Sequence, residues 1–333
     1  MIRIVGAGAW GTALAVLWSH TEGGAAEFEE IELVARGTTE ASAISRAHRN
    51  DRRLRGVELP SSIIVRSLDD RLPPARPEDL LVIAVPSDSI AVTMERLSIG
   101  DAPIVLVSKG LSASGERPSE VALAAGADPM RLAILSGPNL ASEVAAAMPA
   151  AAVLAGPAQL VEMLQSRLAR PTLRLYATDD LVGVEVAGAM KNVIAIAVSA
   201  VRALGYGENA SAALLSRGVA EMVRLTEACG GRGETACGLA GVGDLVLTAS
   251  NTGSRNARLG ALLASGETVA AAVASIGATI EGIPTAHGAL ALAARLGIEL
   301  PITAAVVSVL EHGTPVASIA KGLLGRSPAR EWR

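Results

Sequence analysis

Cysteine is almost missing from this chain of 333 residues, which holds only Cys229 and Cys237. Two thiols in so long a chain exclude a disulfide scaffold and point to a reducing, cytoplasmic setting. Aromatic side chains are equally scarce, at 2% against 50% apolar residues overall, so the cores have to be built from Ala, Val, Leu and Ile. Such small aliphatic side chains suit helices packed closely on a parallel sheet. Basic excess is lacking too. A formal charge of −4 argues against nucleic acid as a partner, while leaving room for local basic pockets that take a phosphorylated ligand. The most apolar long segment, 184–204, carries Glu185, Lys191, Asn192 and Arg202, a combination that lipid rarely tolerates, so the chain is read as not membrane-embedded. No tandem repeat is visible, and no metal site is expected.

What is present starts at the first residues. Ile2-Arg-Ile-Val-Gly6-Ala-Gly8-Ala-Trp10-Gly11-Thr-Ala-Leu-Ala15 feeds a β-branched strand through G-x-G-x-x-G into an alanine-leucine helix. In a dinucleotide-binding turn the first glycine permits the tight bend, the second lets the backbone approach a pyrophosphate, and the third allows close helix-on-strand packing. The amides of the helix that follows then face the phosphates. A secretory signal is the competing reading, because Arg3 precedes an apolar stretch. Three glycines inside the would-be apolar core and the absence of a clear cleavage site speak against it.

Short β-branched runs recur at 2–5, 31–35, 80–85, 104–107 and 132–135, with helical patterns between several of them. Candidates at 151–155 and 172–176 flank a helical stretch at 158–168 and extend the same sheet. The prolines in 71–77 mark a surface connection, and the polar tail from Ser327 is expected to fray. After Asp179 the pattern becomes helical, at 182–204, 210–229, 244–248, 256–264, 268–275, 284–296 and 301–310. The expected fold is α/β, a Rossmann-type parallel-sheet dinucleotide-binding domain over 1–178 followed by an all-helical substrate and catalytic domain over 179–333.

The second strand ends Leu33-Val-Ala-Arg36-Gly-Thr38-Thr39. A carboxylate at that place favours NAD, whereas an arginine accommodates a 2′-phosphate, so Arg36 points to NADP. A solvated loop arginine is the bland alternative, and Glu32 becomes the ribose ligand if the strand ends earlier. Ala84-Val-Pro-Ser87 and Val107-Ser-Lys109-Gly110 end two further strands, at the rim where open α/β sheets bind ligands. Leu135-Ser-Gly137-Pro138-Asn139-Leu-Ala141 leaves another strand at the same rim, and a plain turn competes with a ligand-binding role there.

Lys191 has Ala187, Gly188, Ile194 and Ala195 at helical spacing, so its ammonium projects from a face that should be buried. Burial of an ammonium is unfavourable unless it is paired or able to lose its proton, and a lysine whose pKa is lowered in this way can act as general acid or base. A structural pair with Glu185 is the alternative, at a poor helical spacing. Gly238-Leu-Ala-Gly-Val-Gly-Asp244-Leu-Val-Leu-Thr248 leads into Ser254-Arg255-Asn256. Asp244 is either a helix cap or a functional carboxylate. Ser-Arg-Asn before a helix offers a guanidinium fork, a hydroxyl and helix-end amides to a phosphate.

Taken in order, these motifs resemble the bacterial NAD(P)-dependent glycerol-3-phosphate dehydrogenases nearly end to end. The match adds Ser136-Gly-Pro138, Ala189-Met-Lys-Asn-Val-Ile-Ala-Ile196, Arg217-Gly-Val-Ala-Glu-Met222 and Leu300-Pro-Ile-Thr303. The resemblance implies hydride transfer between NADPH, with NADH as a second cofactor, and dihydroxyacetone phosphate, giving sn-glycerol 3-phosphate for glycerophospholipid synthesis. It implies Lys191 as proton donor and acceptor, Lys109 and Asp244 beside it, and a substrate set of Lys109, Gly137, Asn139, Asp244, Ser254, Arg255 and Asn256. The implied cofactor set is Gly6, Gly8, Ala9, Trp10, Gly11, Arg36, Lys109, Ala141, Arg255, Thr279 and Glu281. Position 139 is Asn where the family usually has Ser or Thr, and 140 is Leu where Phe is common. The apolar helices of the second half fit a homodimer. Competing readings are a β-hydroxy-acid dehydrogenase, a nucleotide-sugar dehydrogenase using Cys237, and a non-catalytic NADP sensor.

Overall fold

The computed structural model describes residues 1–19 and 29–324; the tail expected to fray from Ser327 lies outside the described residues. The chain forms two compact units, Met1–Ser108 with Pro118–Leu181, and Lys109–Arg117 with the chain from Val182 onward. The sequence reading divides the chain between 178 and 179; the second unit begins three residues later and also takes in 109–117.

The first unit runs β1 (Ile2–Val5), α1 (Ala9–Ser19), β2 (Ile31–Ala35), α2 (Thr38–Ala47), β3 (Ile63–Ser67), β4 (Leu80–Ile83), α3 (Ile90–Glu95), β5 (Ile104–Leu106), α4 (Pro118–Ala124), β6 (Leu132–Ser136), α5 (Ala141–Ala145), β7 (Ala150–Ala155), α6 (Ala158–Leu168) and β8 (Leu173–Thr178). They build an eight-stranded sheet in the order β3-β2-β1-β4-β5-β6-β7-β8. All neighbours are parallel except β6 and β7, which pair antiparallel. The inner strands β1, β2, β4, β5 and β6 are buried along their whole length. Their Val, Ile and Leu runs, interrupted in β1 and β2 by the buried Arg3–Glu32 pair, meet the demand of a parallel sheet covered on both faces. β3, absent from the sequence reading, is an edge strand with the burial of only Ile63 and Ser67 at its ends, so its apolar signal is short. Among the described residues Trp18 is the one fully buried aromatic of this core, and it donates its Nε1–H to Leu168 O at 3.1 Å.

The second unit is helical: α7 (Leu181–Ala203), α8 (Gly207–Ala228), α9 (Gly233–Ala236), a π-helical turn (Leu239–Gly243), α10 (Asp244–Ser250), α11 (Arg255–Ala264), α12 (Val269–Ile276), α13 (Gly282–Leu296), α14 (Pro301–His312) and α15 (Val316–Leu324). α7 is long and apolar enough to cross a membrane, yet 83% of its most apolar window is buried. Alanine and glycine on α7, α8, α11 and α13 let backbones approach closely. A Cβ on Gly218 would lie 2.5 Å from Ile194, and one on Gly260 2.2 Å from Ile196 O.

Candidate active site

The glycine turn of the first unit divides its three glycines by task. Gly6 has φ +118°, and a Cβ there would lie 2.4 Å from Ala84 O; one on Gly11 would lie 2.1 Å from Gly6 O. Gly8 is different, because a Cβ there meets nothing within 4 Å. Gly6 and Gly11 are thus required by packing, and Gly8 borders open space at the start of α1, where unpaired helix amides collect. Ala9 and Trp10 open that helix, and the buried Trp10 Nε1–H has no partner among the described residues. An uncovered backbone, a helix N-terminus and an orphaned donor fit a dinucleotide. Asn50, which sequence reasoning missed, fixes the turn: its buried Nδ2 donates to Ala7 O and to Thr12 Oγ1, both at 2.9 Å.

β2 ends at Ala35, so Arg36 is the first residue beyond it and is exposed. The alternative ribose ligand fails. Glu32 is buried and held by Arg3 and by Arg66 Nε, the latter at 3.0 Å. At the other strand ends, Ser108 Oγ donates to Val85 O at 2.6 Å, which joins the β4 and β5 rims. Gly137 has φ +146°, with Ala152 Cα 2.9 Å from where a Cβ would stand. The adjacent Asn139 donates through Nδ2 to Pro138 O and to Ala151 O, at 3.1 and 2.9 Å. Its Oδ1 is buried and unpartnered, as is Ser136 Oγ, so two buried oxygens at this rim lack a partner among the described residues. Ala141 opens α5 beside them.

In the second unit, two lysines share one carboxylate. Lys109 Nζ lies 2.7 Å from Asp244 Oδ2, and Lys191 Nζ lies 3.1 Å from Asp244 Oδ1. Lys191 also donates to Thr248 Oγ1 at 2.9 Å, and that hydroxyl lies 3.2 Å from Asp244 Oδ1. Lys191 is therefore paired across helices, not with Glu185. Asp244 is the first residue of α10 and makes no capping hydrogen bond; its two oxygens serve the lysines. Thr248, one turn on, shares its face. The π-helical turn before it aims that face. A Cβ on Gly241 would stand 1.9 Å from Ala236 O, so only glycine lets the chain approach α10 along this path.

Electrostatics follow from burial. Desolvation lowers the Lys191 pKa, and the Lys109 cation lowers it further, against the pull of Asp244 and Glu281. Burial would raise the Asp244 carboxyl, but the two ammonium groups outweigh it and hold the pKa below the usual carboxylate value. Glu281 is pushed up by burial, although Arg255, Lys191, Lys109 and the Lys109 backbone amide all favour its charged form. The result is a carboxylate kept ionised beside an ammonium whose pKa lies below the ordinary lysine value.

The anion-binding candidates cluster at the start of α11. Ser254 is its N-cap and accepts from Ala257 N at 3.5 Å, while exposed Arg255 donates through Nη1 to Thr279 O. Asn256 is buried and its amide is occupied: Nδ2 donates to Asn192 Oδ1 at 2.7 Å, and Oδ1 accepts from Gly282 N at 3.1 Å. Asn192 in turn donates to Lys109 O at 2.8 Å. Asn192 and Thr248 were not singled out from the sequence as site residues. Their signal was present in position alone, next to Lys191 and one helical turn after Asp244.

Known proteins resemble this chain along nearly its whole length. Residues 1–161 match the model of the NAD-dependent glycerol-3-phosphate dehydrogenase N-terminus, and 180–321 that of its C-terminus. The chain is 41% identical to the glycerol-3-phosphate dehydrogenase [NAD(P)+] of Acidovorax ebreus (strain TPSY), covering 99% of each chain. It is 42% identical to that of Variovorax paradoxus (strain S110), over 99% of this chain and 98% of the other. The crystal structure of glycerol-3-phosphate dehydrogenase from Coxiella burnetii superimposes with a TM-score of 0.87 at 34% identity, covering 98% of both chains. D-mandelate dehydrogenase, at 12% identity and a TM-score of 0.59, shares the fold alone. Lysines paired through Asp244 in a helical unit, a dinucleotide turn in a sheet unit, and these relatives agree: the chain belongs to the NAD-dependent glycerol-3-phosphate dehydrogenase family.

Proposed function

We propose that this chain reduces dihydroxyacetone phosphate reversibly to sn-glycerol 3-phosphate, for glycerophospholipid synthesis, with Lys191 as the proton donor. The observation that carries the reading is the pair of ammonium groups on one buried carboxylate, Lys191 and Lys109 on Asp244. The bound nicotinamide cofactor supplies or accepts a hydride. Lys191 Nζ gives its proton to the oxygen of the reduced carbonyl, is left neutral, and is recharged from solvent; in the oxidation direction it takes that proton back. Lys109 places a second positive charge where the oxyanion develops, and Asp244 with Thr248 fixes the direction of the Lys191 ammonium. Ser254, Arg255 and the α11 amides take the phosphate, with Asn256 and Asn192 bracing that helix start. Gly137 and Asn139 extend the substrate set.

NADP is the preferred cofactor in this reading, because exposed Arg36 follows β2 directly and Glu32 is committed to arginines. The cofactor contacts are Gly6, Gly8, Ala9, Trp10, Gly11, Arg36, Lys109, Ala141, Arg255, Thr279 and Glu281. A cytoplasmic homodimer completes the proposal, supported by the scarcity of cysteine, two residues in 333, and by the apolar helices of the second unit. The test is the initial rate of NADPH and NADH oxidation with dihydroxyacetone phosphate, in wild type and in Arg36→Ala and Arg255→Ala. Turnover favouring NADPH is expected. Arg36→Ala should erase most of the cofactor preference, and Arg255→Ala should raise the substrate KM by roughly one to two orders of magnitude. A protein that turns over only phosphate-free hydroxy acids would overturn the proposal.

A further inference from the structure

Lys109–Arg117 follows a strand of the first unit in sequence but belongs to the second. It is held there by one stripe of α13. Leu111 N donates to the fully buried Thr285 Oγ1 at 3.2 Å, and Arg295 Nη1 donates to Ser114 O at 2.7 Å. Between them Gly288 sits so close that a Cβ there would lie 2.0 Å from Ser112 O. Gly115, at φ +88°, faces it: a Cβ on Gly115 would be 2.7 Å from Gly288 O and 3.3 Å from Leu292 Cβ. Thr285, Gly288, Leu292 and Arg295 recur at the three- and four-residue spacing of one helix face. The Lys109 backbone amide donates to the carboxylate of Glu281, one turn ahead of Thr285.

We propose that this face of α13 is the seat that sets the position of Lys109, with Thr285, Gly288 and Arg295 as positioning residues for the reaction. Glycine inside a helix is disfavoured, and a surface arginine needs no fixed partner. Both are explained by what they hold, a tight turn that ends five residues from the ammonium on Asp244. Moving that turn by a fraction of an ångström moves Lys109 relative to Asp244, and reactions that depend on placement are sensitive to such shifts.

The inference rests on the proposed role of Lys109, so the experiment separates the two. Arg295→Ala, an exposed site, is measured alone and in a Lys109→Ala background, with melting temperature followed throughout. Arg295→Ala should lower kcat/KM about tenfold at unchanged melting temperature, Arg295→Lys should restore part of it, and the loss should vanish when Lys109 is already absent. The basic limb of the pH profile should move upward in Arg295→Ala, because a displaced Lys109 no longer lowers the Lys191 pKa. Gly288→Ala should act in the same direction and more strongly. Wild-type kcat/KM in Arg295→Ala, or an equal fold loss in both backgrounds, would overturn the seat. Full activity in Lys109→Ala would remove the role of Lys109 itself, and the inference with it.

Discussion

Three lysines stand among the 29 basic residues of this chain, and two of them converge on Asp244. Arginine serves nearly every other cationic task, and at position 191 lysine suits the proposed role, because an ammonium whose pKa is lowered by burial can give up its proton and a guanidinium cannot. Burial and the neighbouring cation lower the Lys191 pKa, so if Lys191 is the proton donor proposed above, its active, protonated form in the reduction direction is lost as pH rises. The profile of kcat against pH should therefore fall at a lower pH than an ordinary ammonium, whose value is about 10.4, would give. In the oxidation direction, where neutral Lys191 is needed, activity should rise over the same range. A reduction rate that is flat into the range of an ordinary lysine would contradict this assignment. Lys191 was legible in the sequence because a charge on an otherwise apolar helical face demands a reason. Thr248 and Asn192 were not, since an uncharged polar side chain on a helix is ordinary, and their value lies in partners 57 and 83 residues away.

Elements explain motifs that residue chemistry leaves unassigned. The Arg217–Met222 and Leu300–Thr303 segments contain no catalytic candidate, yet they meet: the buried Glu221 carboxylate accepts from Ile302 N, from Thr303 N at 3.2 Å and from Thr303 Oγ1 at 3.1 Å. Glu221 on α8 thus caps the start of α14, where Pro301 occupies the first turn and supplies no amide hydrogen. Burial raises its pKa despite these donors. Glu221→Ala would leave buried amides unpaired and should destabilise the protein by about 2 kcal/mol, read as a lower denaturation midpoint. An unchanged midpoint would show that water replaces the cap. Helix and strand positions were largely readable because periodicity and β-branched runs report burial directly. The reversed β6–β7 pair was not: the alternation of side chains is the same in either strand direction, and only the path through Gly137 and α5 sets it.

At the scale of the whole molecule, the order of the sequence and the membership of the units differ at one segment, and it is the segment that begins with Lys109. The hydrogen bonds that hold it span 174 and 181 residues, a separation that no local pattern encodes. The placement of the other candidates was legible: a glycine turn and Arg36 on the sheet unit, Lys191, Asp244 and the Ser-Arg-Asn helix start on the helical one. The most direct test of the account is Lys191→Ala, assayed for NADPH binding by fluorescence and for NADPH oxidation with dihydroxyacetone phosphate. A cofactor Kd within about twofold of wild type and a kcat reduced by roughly 10²–10⁴, the span typical of a lost general acid, are expected. A Lys191→Ala enzyme that turns over at the wild-type rate would contradict it.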